Sequence, residues 1–138
     1  MIYYLLFFLI IFIYICYRYF TTNTIYTFYG KIATNDTELQ DGLMHRKDKL
    51  GDNQGMLFPM DKGINSMWMK NTYIPLDIIF MDSKKRIVGY IEDAVPLSEK
   101  SLSIDRESSF VLEVDGNTIS NKNITIGDII LFKEVVIE

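Results

Sequence analysis

From Leu76 to the C-terminus the chain alternates short apolar runs with polar turns, and that rhythm restricts it to a mainly β fold. Leu76, Ile78 and Phe80 fall on one side of a strand, with Asp77, Ile79 and Met81 on the other. Asp82-Ser83-Lys84-Lys85 is a polar turn, and residues 86–92 return beside the first strand, which predicts a hairpin. Residues 109–115 alternate Phe110, Leu112 and Val114 against Val111 and Glu113, and Asp115-Gly116 marks their end. After Gly127-Asp128, residues 129–137 make a final strand; the interval before it leaves room for at most a short helical turn. Apolar residues on both faces of these strands predict a closed or strongly curled sheet.

Upstream, residues 25–33 carry enough β-formers for a first strand. Asn35-Asp36-Thr37-Glu38 is a capping signal, in which the Asn35 side chain accepts from the Glu38 amide and the Glu38 carboxylate reaches back. It predicts one short helix over residues 36–44, with Leu39 and Leu43 stacked a turn apart for the core. Asp36, Glu38 and Asp41 suit the first half of this helix, and His45, Arg46 and Lys47 suit its end. Gly42 inside it costs about 1 kcal/mol against alanine, which points to close packing at that position.

Residues 2–17, reading IYYLLFFLIIFIYICY, contain no charge, glycine or proline. Continued through Arg18 to Phe20, the run reaches the roughly 17–25 residues of a membrane-crossing helix. Arg18 then snorkels to the headgroups, and the tyrosines at both ends suit an interfacial belt. The expected organisation is a single-pass transmembrane anchor over residues 1–20, a linker over 21–30 and one domain over 31–138, with the membrane as a partner through residues 2–20. A cleaved signal peptide fits less well, because no Lys or Arg precedes residue 18 and no small-residue cleavage site follows. Arg18 and Lys31 favour a cytoplasmic body by the positive-inside bias.

Every acidic side chain, and every basic one except Arg18, lies beyond residue 30, and the whole chain carries a net charge of −4. No basic run offers an electrostatic footprint for nucleic acid, so no nucleic-acid partner is expected. Cys16 is the single cysteine and His45 the single histidine, which excludes a cysteine cage or a multi-histidine site. No Asp/Asn loop has calcium-site spacing, and the methionines, Met67 and Met69 among them, are the ordinary filler of irregular cores. No metal or cofactor is expected. Neither a nucleophile elbow nor a phosphate-cradling glycine loop occurs, so hydrolytic and nucleotide-dependent readings lack a motif.

Several motifs follow one another in order: Gly42-Leu43-Met44-His45-Arg46, Gly55-Met56-Leu57-Phe58, Trp68-Met69-Lys70-Asn71-Thr72 and Ile74-Pro75-Leu76-Asp77. Val111-Leu112-Glu113-Val114 and Ile126-Gly127-Asp128 come later. In this series the chain resembles the family called domain of unknown function 192, from about residue 32 to residue 133. The resemblance implies a small α+β domain, mainly β, with a curled or barrel-like sheet. It also implies a frequent N-terminal export signal or anchor, which would place the body outside the cytoplasm, and it implies no established activity. The chain departs from the family pattern between Phe58 and Trp68, where the segment is shorter and lacks the common proline-rich middle, and again after Val95-Pro96.

The candidate ligand-binding residues are Arg46, Trp68, Lys70, Asn71 and Asp77. In the functional reading Trp68 is an aromatic wall, Lys70 meets an anionic group, and Asn71 and Asp77 fix hydrogen bonds. In the structural reading Lys70 and Asp77, with Arg46, form an ion pair that locks the Pro75 corner, and Trp68 belongs to the core. Three functions stay open. The first is a membrane-anchored binding or accessory domain with a shallow pocket at Trp68, Lys70 and Asp77, for a small or polymeric ligand. The second is an enzyme using Lys70 and Asp77, and the third a purely structural interaction module.

Overall fold

The computed structural model describes residues 1–19 and 23–135. In chain order its elements are α1 (Ile2–Tyr19), β1 (Ile25–Ile32), α2 (Asp36–Asp41), β2 (Gln54–Gly63), β3 (Ser66–Met67), β4 (Leu76–Met81), β5 (Ile87–Ala94), β6 (Leu102–Ser103), β7 (Ser108–Asp115), α3 (Thr118–Lys122) and β8 (Ile129–Glu134). The longer strands form one sheet in the order β5-β4-β7-β2-β1-β8. β1 runs parallel to both β2 and β8, and the remaining pairs are antiparallel. β4 and β5 are the predicted hairpin. Its turn is held by the Asp82 carboxylate, which accepts from the amides of Lys84 and Arg86 at 2.9 and 3.0 Å.

The two edge strands meet at one end. Arg86 and Ile129 form an antiparallel bridge, the Ile87 amide donates to the Asp128 carbonyl at 2.8 Å, and the Ile130 amide donates to the Lys85 carbonyl at 3.0 Å. The expected curl is present as a half-barrel whose edges touch, which shortens the exposed edge available to another chain.

Period-two alternation sorts the strand residues onto two covered faces. The inner face gathers Phe28, Leu57, Ile79, Ile87, Leu112 and Ile130, and α3 adds Ile119 as a plug. The outer face presents Met56, Phe58, Ile78, Phe80 and Val111, covered by Met69 and Ile74 and flanked by Leu39 and Leu43. β4 is therefore buried at every position, Asp77 included. Each fully buried Leu, Ile or Phe contributes about 1.5–3 kcal/mol, and using both faces of one sheet offsets the small core of a chain this size.

α2 starts as expected, with the Asn35 side chain accepting from the Glu38 amide at 3.0 Å. The Glu38 carboxylate reaches one residue past the cap, accepting from the Thr34 amide and hydroxyl, and it pairs with Lys31. The Lys31 ammonium, with the Thr34 donors, holds this carboxyl down at about 2. The helix ends at Asp41 rather than Met44, because Gly42 turns to a φ of 50°. Close packing at Gly42 is present all the same: a Cβ there would stand 3.2 Å from the Phe58 ring.

The N-terminal expectation is corrected. Among the described residues, no helix is long and apolar enough to cross a membrane. At 1.5 Å per residue the 18 residues of α1 extend about 27 Å, and the apolar run stops at Tyr17, ahead of Arg18, after about 24 Å. The uncharged run falls short of the roughly 30 Å hydrocarbon core. The transmembrane anchor over residues 1–20 is thus overturned, and Phe20, its expected end, lies outside the described residues. The stretch read as a linker also changes, because β1 begins at Ile25 and joins the sheet. The last strand ends at Glu134, and residues 136 and 137 of the expected span lie outside the described residues.

Candidate functional site

On the outer face of the sheet a cleft of about 360 Å³ opens between α2 and the antiparallel β3–β6 pair. Leu39 and Asp41 border it from α2, Phe58 and Met60 from β2, and Met67 and Trp68 from the opposite wall. The run from Trp68 to Thr72 builds that wall. Met69 is fully buried in the outer core, while its amide donates to the Ser98 carbonyl and the Leu97 amide donates to the Thr72 carbonyl, both at 3.0 Å. Asn71 adopts a φ of 52°, and its carbonyl accepts from the His45 amide at 2.7 Å. The turn is clamped between the segment after α2 and the segment after β5. Trp68, adjacent to the buried Met69, keeps 37% of its surface exposed. The Lys70 ammonium stands 5.1 Å from the Trp68 ring centroid and 3.7 Å from the Glu99 carboxylate. At such exposed positions each contact is worth about 1 kcal/mol or less.

A carboxyl lies at the base of this cleft. Glu113 sits on β7 between Met56 of β2 and Ile78 of β4, on the same face as Val111. It is 4% exposed. Among the described residues it has no hydrogen-bond or ion-pair partner, and burial alone pushes its pKa up to about 8. Among the described residues, no side-chain polar atom that is sealed from solvent lacks a partner, so the unpartnered Glu113 carboxyl opens onto the cleft it lines. At neutral pH it is protonated, offering both a donor and an acceptor. A carboxyl raised this far by burial, at the base of a cleft, is the kind of group found at functional positions. Gly42 keeps the approach open: a Cβ there would lie 3.5 Å from Glu113 Oε2. Asp41 and Glu99 also border the cleft, and no Lys, Arg or His among the described residues lines it.

Of the residues singled out in the sequence, Trp68 lines the cleft and Lys70 stands beside it. Arg46 lies on the other side of α2, lining a separate groove with Lys31 and Gln54, and its Nε donates to the Asp48 carbonyl at 2.9 Å. Asn71 is exposed and acts here through its backbone. Asp77 faces the opposite side of the sheet, because its neighbour Ile78 is the β4 residue paired with Glu113. The Asp77 carboxylate is 0% exposed and accepts from the amides of Asp93 at 2.9 Å and Ile119 at 2.8 Å. It ties the end of β5 and the first turn of α3 to β4. Lys70 and Asp77 do not meet; Lys70 turns to Glu99. Glu113 was passed over in the sequence as one member of an alternating strand. The signal for it was an acid in line with Val111, on a strand apolar on both faces.

The family model of DUF192, described as an uncharacterized ACR, matches residues 19–132. Among solved structures, a protein of Sinorhizobium meliloti described as a candidate transcription regulator is 34% identical. The match covers 72% of this chain and 78% of that one, with a TM-score of 0.69. A protein of unknown function from Novosphingobium aromaticivorans is 36% identical, over 72% of this chain and 71% of that one, with a TM-score of 0.68. No curated protein matches the chain.

Proposed function

The chain belongs to the DUF192 family, and from that premise we propose that it is a binding module whose ligand enters the outer-face cleft. The observation that carries this reading is Glu113, a buried carboxyl without a partner that opens onto a mainly apolar cavity. Apolar walls with few convergent polar groups are the usual make-up of small-molecule sites. In this reading Trp68, which lines the cleft, is its aromatic wall, and Lys70, held by Glu99, stands at the edge. Glu113 takes the fixing role that the sequence assigns to Asp77. An acid–base pair of Lys70 and Asp77 finds no support, since the two lie on different partners. The net charge of −4 speaks for a small ligand rather than nucleic acid.

Trp68 is the single tryptophan, so emission excited at wavelengths that the tyrosines do not absorb reports on the cleft wall. Titration of the full chain with small amphiphiles is expected to shift Trp68 emission saturably. Ser101→Tyr, which fills the cleft from an exposed position, is expected to abolish the shift without changing the melting temperature. Emission indifferent to every amphiphile would rule the reading out.

A further inference from the structure

We infer that the cleft takes an ammonium group carried on a short apolar body, with Glu113 as its counter-ion and Trp68 against the apolar part. This rests on the cleft being a binding site. The titratable side chains that line the cavity are all acidic: Asp41 borders it from α2, Glu99, paired with Lys70 at the edge, from the segment after β5, and Glu113 from β7. The strands flanking Glu113 set apolar side chains beside it on that face, Met56 and Phe58 from β2 and Leu76, Ile78 and Phe80 from β4. Lys70, beside the cleft wall, is occupied by Glu99 and the Trp68 ring. An anionic ligand would add like charge to a poorly hydrated space, whereas an ammonium supplies the partner that Glu113 lacks. Lys70 over the Trp68 face also directs an incoming cation toward Glu113 rather than onto the indole.

The empty site carries Glu113 protonated, with its pKa pushed up to about 8. Binding an ammonium therefore releases one proton from the Glu113 carboxyl to solvent and leaves a carboxylate–ammonium pair. Below that pKa the ligand competes with the proton. An alkylammonium, like a lysine side chain, stays charged to about pH 10, so any pH dependence between 6 and 9 belongs to the protein.

Hexylammonium, hexanol and hexanoate are compared by Trp68 fluorescence on the full chain at pH 6, 7, 8 and 9. At pH 9 hexylammonium is expected to bind at least about tenfold more tightly than hexanol, and hexanoate more weakly than either. Hexylammonium affinity should fall by up to about tenfold per pH unit from 8 to 6, while hexanol affinity stays level. Glu113→Gln, which keeps the shape of the protonated side chain, should erase both the preference and the pH dependence. Equal binding of hexylammonium and hexanol, or a flat pH profile for hexylammonium, would overturn the inference while leaving a binding cleft. Failure of all three probes to move Trp68 would remove the cleft as a site altogether.

Discussion

At the scale of single residues, the two informative carboxyls are on opposite faces of one sheet and do opposite things. Asp77 is saturated by two amides, so it holds structure together. Glu113 has no partner and opens onto a cavity. Asp77→Ala strands two donors in the interior and is expected to destabilise the protein by about 2–4 kcal/mol. Asp77→Asn, which keeps one acceptor oxygen, should lose less, and denaturant unfolding of both variants measures the difference. Asp77 was conspicuous in the sequence because it ends a recognisable motif. Its partners were not legible, because the Ile119 amide is supplied from far along the chain. Glu113 was hidden for the converse reason, since an acid in an alternating strand reads as an ordinary outward residue until both faces are known to be covered.

At the scale of elements, local signals were readable and long-range ones were not. The Asn35 cap and the β4–β5 hairpin depend on neighbours within a few residues, and both stand in the structure. The length of α2 did not follow, because Gly42 was read as an interior helical residue and instead ends the helix at positive φ. The far wall of the cleft was invisible for a different reason: Met67 pairs with Leu102 across a long excursion. Gly42 joins these themes, as it terminates α2 and leaves the Glu113 approach unobstructed. Gly42→Ala places a Cβ at positive φ and against Phe58, and is expected to cost about 1–2 kcal/mol of stability. It should also weaken any cleft ligand in the Trp68 titration. Unchanged unfolding midpoints would show that the backbone relaxes there.

At the scale of the whole molecule, the sheet order and its closure came from pairings between distant segments, so the curl was predictable and the strand order was not. The apolar N-terminal helix shows the limit of composition as a guide: its character was legible, but among the described residues no helix is long and apolar enough to cross a membrane. A protonated, partnerless carboxyl beneath the cleft makes the stability of the whole molecule depend on pH. Because the folded-state pKa of Glu113 is raised from 4.5 to about 8, its contribution is fully present below about pH 4.5 and is lost as pH rises through 8. Between these limits one group takes away about 1.4 kcal/mol per pH unit. Urea unfolding of the full chain and of Glu113→Gln at pH 5 and pH 8 is the direct measurement. The parent is expected to lose about 3 kcal/mol more than the variant across that interval; equal losses in the two proteins would show that Glu113 is not held protonated beneath the cleft.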